Sequence, residues 1–154
     1  GEAAALFALM RLSDAKAKGF RIHGVIRNCD GSSDGINGGL VEPTERGQVL
    51  AYERAYKDVP LEPLSYLECH GTGTKIGDRT ELASSAKFFH PLPLIGSVKA
   101  NVGHTIGAAG SVSLTKALKI IENKTIPRMP NFKSPIPGFS HPINTQNVQL
   151  PQDK

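Results

Sequence analysis

A chain of 154 residues, 39% hydrophobic and 21% charged, is long enough to bury one core and too apolar to be a disordered tail. Its net charge of +4 comes from scattered lysines and arginines without aromatic interleaving, which excludes a nucleic-acid surface, and no apolar run approaches the roughly 18 residues of a membrane span. Two cysteines, Cys29 and Cys69, are too few for a disulfide framework and suit a reducing, cytoplasmic compartment.

The chain opens inside an apolar run, without an initiator methionine or a signal-peptide flank, and reads as a piece of something larger. "AALFAL" predicts a short buried strand and "SDAKAKG" a helix with Ser13 as N-cap and Gly19 as its stop. "RIHGVIRN" predicts a second strand. "CDGSSDGINGG", rich in turn-forming residues, predicts the loop that follows it. From Pro43 a helix is expected, capped by Thr44, with Val49, Tyr52 and Tyr56 along one face and its end near Asp58. "LSYLECH" predicts a strand, and "TELASSAKFF" a helix with Leu82, Ala86 and Phe89 on one side. "PLIGSVKAN" predicts the next strand, and "GAAGSVSLTKALKIIEN" a helix with Leu114, Leu118 and Ile121 in register. Beyond Ile126 the prolines work against regular structure. Strands alternating with helices predict an α/β fold with a mixed sheet, whose chemistry belongs in the loops after strands, here "CHGTGT" and "ANVGHT".

Several kinds of chemistry compete for these loops. Gly71, Gly73 and Gly77 follow a strand and precede a helix, as in a phosphate cradle, yet Lys75 follows Thr74 where a Walker loop needs glycine, and no acidic residue closes the next strand. Cys69 and His70 are neighbours on a strand and point to opposite faces, so they make a poor nucleophile and base. Cys29 is a loop thiol that would need a distant histidine. His23, His70, His90, His104 and His141 lack metal-ligand spacing. What remains is His70 and His104, each just past a strand and framed by glycines, a pair that could share one pocket and donate N–H bonds to an oxyanion. For either one alone, a structural histidine is the simpler account. Lys99 lies between them, and Glu81 is its expected ionic partner.

"ECHGTGTKIGDRTE" followed by "IGSVKANVGHTIGAAG" resembles the two signature stretches of β-ketoacyl synthases of the thiolase fold, especially the ketosynthase domains of polyketide and multifunctional fatty-acid synthases. The similarity runs from "GEAAALFALMRLSDAKAKG" through "IPRMPNF". It implies decarboxylative Claisen condensation of an acyl thioester with a malonyl-type extender. His70 and His104 match the two histidines that contact the extender carbonyl, and Lys99 and Glu81 match the pair that orders them. Thr72 and Thr74 match the threonines that hold the phosphopantetheine arm of an acyl carrier protein. Asp78 takes the acidic position of the motif, with a plain helix-capping role beside it.

Arg79 departs from the family's proline, a tolerable change in a helix's first turn. More consequential is the nucleophile: neither "RNCDGS" nor "LECHGT" matches the family's cysteine turn, which belongs to the N-terminal half. The resemblance therefore divides the chain into residues 1–42, the end of that half with its connecting loop, and 43–154, a C-terminal half stopping before its last glycine-rich strand. It implies that the isolated chain is inactive in condensation, and that its partners are the missing half, a carrier protein and a second copy in a homodimer, with no bound metal or permanent cofactor. A non-catalytic partner of the chain-length-factor type is the alternative, against which His70, His104 and Lys99 speak. A Cys–His hydrolase using Cys29 is a third reading, open to thiol labelling.

Overall fold

One short parallel pairing organises the fold. The computed structural model describes residues 1–36, 42–143 and 145–151. In it, β1 (Tyr66–Glu68) lies beside β2 (Leu94–Gly96), with Leu67 opposite Ile95 and Glu68 opposite Gly96. The Cys69 N–H extends the ladder to the Gly96 carbonyl at 2.8 Å, and on the other side of β2 Ile95 forms a parallel bridge with Ile143. Parallel strands need a crossover, and α3 (Lys75–Phe88) supplies it. The core forms where these meet: Cys69, Leu82 and Ile95 are buried, with Leu67, Ile136, Phe139 and Ile143 packed around them.

Thr74 starts α3 as its N-cap, its hydroxyl accepting from the Gly77 N–H. The inward face then alternates bulk with small residues. Leu82 enters the core, whereas Ser84 and Ser85 are wholly buried and let α2 (Glu45–Ala55) approach closely. Thr44 caps α2, as its place before the apolar face predicts. Tyr52 reaches between Phe88 and Phe89, with ring centroids 5.5 and 5.0 Å away, and Tyr56 packs on the same two rings. Burial of an aromatic such as Phe89 contributes about 1.5–3 kcal/mol, so this cluster holds the helix pair more firmly than any polar contact on it. After β2 come α4 (Lys99–Val102), a 3-10 turn at Ile106–Ala108 and α5 (Ala109–Asn123). Antiparallel β3 (Thr125–Ile126) and β4 (Val148–Gln149) follow.

The structure departs from the sequence-based expectations in several places, among them α3, which begins at Lys75, five residues before the expected Thr80. "AALFAL" and "RIHGVIRN" form no ladder with any described strand, and Leu6, Leu9, Val25 and Ile26 are exposed; an apolar run becomes a strand only where a neighbour completes its hydrogen bonds. The second run instead lies on α5, where a Cβ added to Gly24 would come within 2.8 Å of Leu118 and Arg21 pairs with Glu122. Helix α1 (Leu12–Ala17) starts a residue before Ser13, with Arg11 at its N-cap and no side-chain cap bond. "PLIGSVKAN" ends as a strand at Gly96, and Lys99 opens a helix. On α5 the buried residue is Ile120, whereas Ile121 is exposed. Past Ile126, Val148–Gln149 still pairs with β3, its prolines lying outside the ladder.

Candidate active site

Both loops leave the same end of the β1–β2 pair, and that common exit brings His70 and His104 together. Their rings stand 5.2 Å apart, centroid to centroid, and nearly perpendicular. Beside them opens a cavity of about 430 Å³, whose polar side carries Gly71, Thr72, Asp78, Glu81, Lys99 and His104. Its opposite wall is apolar, built by Met129, Phe132, Ile136 and Ile143. His70 and Thr74 are not among its lining residues.

The first loop is held by acceptors from α3. The Glu81 carboxylate takes the N–H groups of His70 at 2.6 Å and Gly71 at 2.8 Å, one on each oxygen. Asp78 accepts from the Gly73 N–H at 3.1 Å, and the hydroxyls of Thr72 and Thr74 meet at 3.2 Å. Gly71 has φ +50, and a Cβ there would fall 2.7 Å from Cβ of Ser97, so glycine is required both by conformation and by space. Ser97, buried at the exit of β2, joins the loops: its hydroxyl donates to the His70 carbonyl and accepts from the Lys99 N–H, both at 3.3 Å.

The second loop fixes a tautomer. The Ile106 N–H donates to Nδ1 of His104 at 3.0 Å, so the neutral ring carries its proton on Nε2. Ile106 does this at φ +49, an unfavourable conformation for a β-branched residue that costs about 1–2 kcal/mol. His70 has its imidazole pKa lowered, first by desolvation and then by the Lys99 charge, with His104 adding to the effect against Glu81 and Asp78. It is therefore the neutral ring, a donor and acceptor, that stands beside His104 at physiological pH. Cys69 lines the cavity but is 8% exposed, and its thiol is pushed far up by burial and then by Glu81, Glu68 and Asp78. It is a packed thiol with no thiolate to offer. Cys29 is exposed, in a loop. Among the described residues no His, Cys, Asp or Glu cluster is arranged to hold a metal ion.

One expected contact is absent. Lys99 and Glu81 do not form an ion pair; the described ion pairs are Arg21–Glu122, Lys119–Glu122, Lys87–Glu45 and Lys116–Glu68. Glu81 is engaged by loop backbone instead, a better use of a carboxylate that must fix a glycine turn. The buried pair is Lys116–Glu68, at 2.9 Å with side chains 12% and 10% exposed. The sequence offered a signal for it: "YLEC" sets a glutamate in an apolar strand context, where a poorly hydrated carboxylate requires a partner. The apolar wall at 129–143 was hidden in a proline-rich stretch without periodicity.

Parallel and antiparallel strand pairs with flanking helices, and two histidine loops at one strand end, make this fold thiolase-like. Residues 23–133 match the family model described as the β-ketoacyl synthase C-terminal domain. The chain belongs to that family. It is 41% identical, over 98% of its length, to a highly reducing polyketide synthase of Gibberella zeae, and 37% identical, over 97%, to one chain of the polyunsaturated fatty acid synthase of a Thraustochytrium species. It spans only 6% of either of those relatives. Among solved structures it is similar to the ketosynthase from module 6 of the bacillaene synthase of Bacillus subtilis 168, with a TM-score of 0.86 and 33% identity over 94% of this chain and 28% of that one.

Proposed function

We propose that this chain furnishes the extender-binding and decarboxylating part of a β-ketoacyl synthase, which condenses an acyl thioester with a malonyl-type extender in polyketide or fatty-acid synthesis. The observation that carries this reading is the approach of the His70 and His104 rings to 5.2 Å beside a cavity with one polar and one apolar wall. As the bond from the malonyl α-carbon to its carboxylate breaks, its electron pair enters the thioester as an enolate and carbon dioxide leaves. Negative charge gathers on the thioester oxygen. Two imidazoles donating N–H bonds to that oxygen favour the transition state over the ground state, and the Ile106 N–H on Nδ1 leaves the Nε2–H of His104 free to donate. Lys99 adds positive charge near His70. In condensation the enolate carbon then attacks an acyl group held on a cysteine of the other ketosynthase half, and the thiolate is expelled.

Thr72 lines the cavity and its hydroxyl meets that of Thr74, an arrangement suited to hold the phosphopantetheine arm of a carrier protein, while Glu81 and Asp78 hold the turn. The exposed apolar side chains of Leu6, Leu9, Val25 and Ile26 support a covering partner, here the N-terminal ketosynthase half of a cytoplasmic homodimer. No described helix is long and apolar enough to cross a membrane. Incubating the 154-residue protein with a malonyl thioester tests the reading. The expected result is slow release of carbon dioxide, with water protonating the enolate, and its loss in a His70→Ala, His104→Ala double variant. Adding an acyl thioester should give no ketoacyl product. Equal rates in wild type and double variant, or product formed through acylated Cys29 or Cys69, would overturn it.

A further inference from the structure

We propose that Glu68, held by Tyr66 and Lys116, is a positioning residue for the second loop: its carboxylate grips the backbone where β2 passes into α4 and so sets where Lys99 stands relative to His70 and His104. The inference rests on the function proposed above. Glu68 ends β1, and its side chain crosses to the neighbouring strand's exit, where Oε1 accepts from the Val98 N–H at 2.5 Å. The other oxygen accepts from the Tyr66 hydroxyl at 2.6 Å and from the Lys116 ammonium at 2.9 Å. Lys116, reaching in from α5, also donates to the Tyr66 oxygen at 2.6 Å and lies 5.1 Å from the centre of that ring.

Stability alone does not account for this arrangement, because a buried ion pair rarely holds a fold better than apolar side chains of the same volume. Its advantage is direction. Val98 is the N-cap of α4 and has no side chain able to cap it, so the acceptor comes from another strand. The space is prepared for it: a Cβ on Gly96 would lie 2.6 Å from the Tyr66 hydroxyl, so only glycine lets that hydroxyl cross β2. Each loop thereby has its own carboxylate, Glu81 for the backbone of His70 and Gly71, and Glu68 for the backbone beside Lys99. Ser97 ties the two together.

The test replaces the charged pair by an apolar one, Glu68→Met with Lys116→Leu, in the 154-residue protein. A purely structural pair predicts that this double variant, once folded, keeps the wild-type His70 titration and decarboxylation although Val98 loses its acceptor. Positioning predicts more: besides amide exchange at Val98 at least tenfold faster relative to Ile95, a His70 titration displaced upward towards 6.5 as the Lys99 charge recedes. Histidine-dependent decarboxylation of a malonyl thioester should fall at least tenfold in the same variant. Tyr66→Phe, which removes one donor to Glu68 and keeps the ring, should show the same changes to a smaller degree and decides the matter if the double variant does not fold. An unchanged His70 titration in either folded variant overturns the inference. Exchange and titration are read without substrate, so a wild-type protein with no decarboxylation would sink the proposed function, while the spectra would still decide whether Glu68 positions the loop.

Discussion

Glu81→Ala strips the acceptor from two backbone N–H groups at once, those of His70 and Gly71. The His70 N–H is exposed and regains a water, whereas that of Gly71 is partly buried and keeps most of the loss. A hydrogen bond to a charged acceptor contributes about 1.5–3 kcal/mol, so the variant should lose about 2–3 kcal/mol, nearly all of it through Gly71. In a chain of this size each kcal/mol moves the midpoint by about 3–4 °C, so the Tm should drop by about 6–12 °C. Glu81→Gln, which keeps one carbonyl oxygen as acceptor, should recover about half of that loss. Thermal unfolding by circular dichroism gives the midpoint, and amide exchange at Gly71, compared with Ile95 in the core, locates the damage. Charge supplies an independent reading: the Glu81 carboxylate raises the His70 pKa, so its removal should depress that pKa further. An unchanged Tm together with unchanged Gly71 exchange would refute the claim that Glu81 holds this turn.

Gly71→Ala and Gly73→Ala separate conformation from space. Both positions have positive φ, but only at Gly71 does a Cβ collide with Ser97, so Gly73→Ala should cost about 1–2 kcal/mol and Gly71→Ala distinctly more, as denaturant midpoints would record. Lys99→Met should raise the His70 pKa towards 6.5, followed by proton NMR. The sign also bears on stability: with its folded pKa below the unfolded 6.5, His70 takes up protons more readily in the unfolded chain as pH falls through that window. Folding should weaken there in the wild type and less so in the variant, and a wild-type His70 titrating at or above 6.5 would contradict this. Phe89→Ala, at a position 3% exposed, should cost about 3–5 kcal/mol and loosen α2 from α3, seen as early exchange of α2 amides on warming.

The two histidine loops were legible because their chemistry is local: glycines at fixed offsets, a cap residue, and a strand before each. Thr44 marked a helix start for the same reason, since a cap acts on backbone three residues away, whereas Thr74, the cap of α3, lay outside the helix expected from Thr80. What the sequence obscured were choices among distant partners. Glu81 could have met Lys99 or the loop amides, and spacing does not say which; the amides won because they lie across the turn that Glu81 overhangs. The glutamate that needed a lysine was Glu68, and its lysine came from α5. "AALFAL" and "RIHGVIRN" have strand composition, but composition cannot supply a neighbour, and without one they form no regular element.

The pairing of Glu68 with Gly96 has a consequence for folding. Because side chains alternate along a strand, sliding β1 by one residue against β2 would turn Leu67 and Cys69 out of the core and bring Glu68 in on the wrong side. Such a slip would also carry His70 along the ladder and away from His104. Correct strand pairing is thus a condition of correct histidine placement, and the two are expected to be reached together once α3 has crossed over. The histidine pair should therefore form with the strand pairing rather than by late loop ordering. Pulse-labelled amides of Cys69 and Ile95 should accordingly become protected in the same kinetic phase in which the His70 and His104 ring resonances acquire their mutual shift.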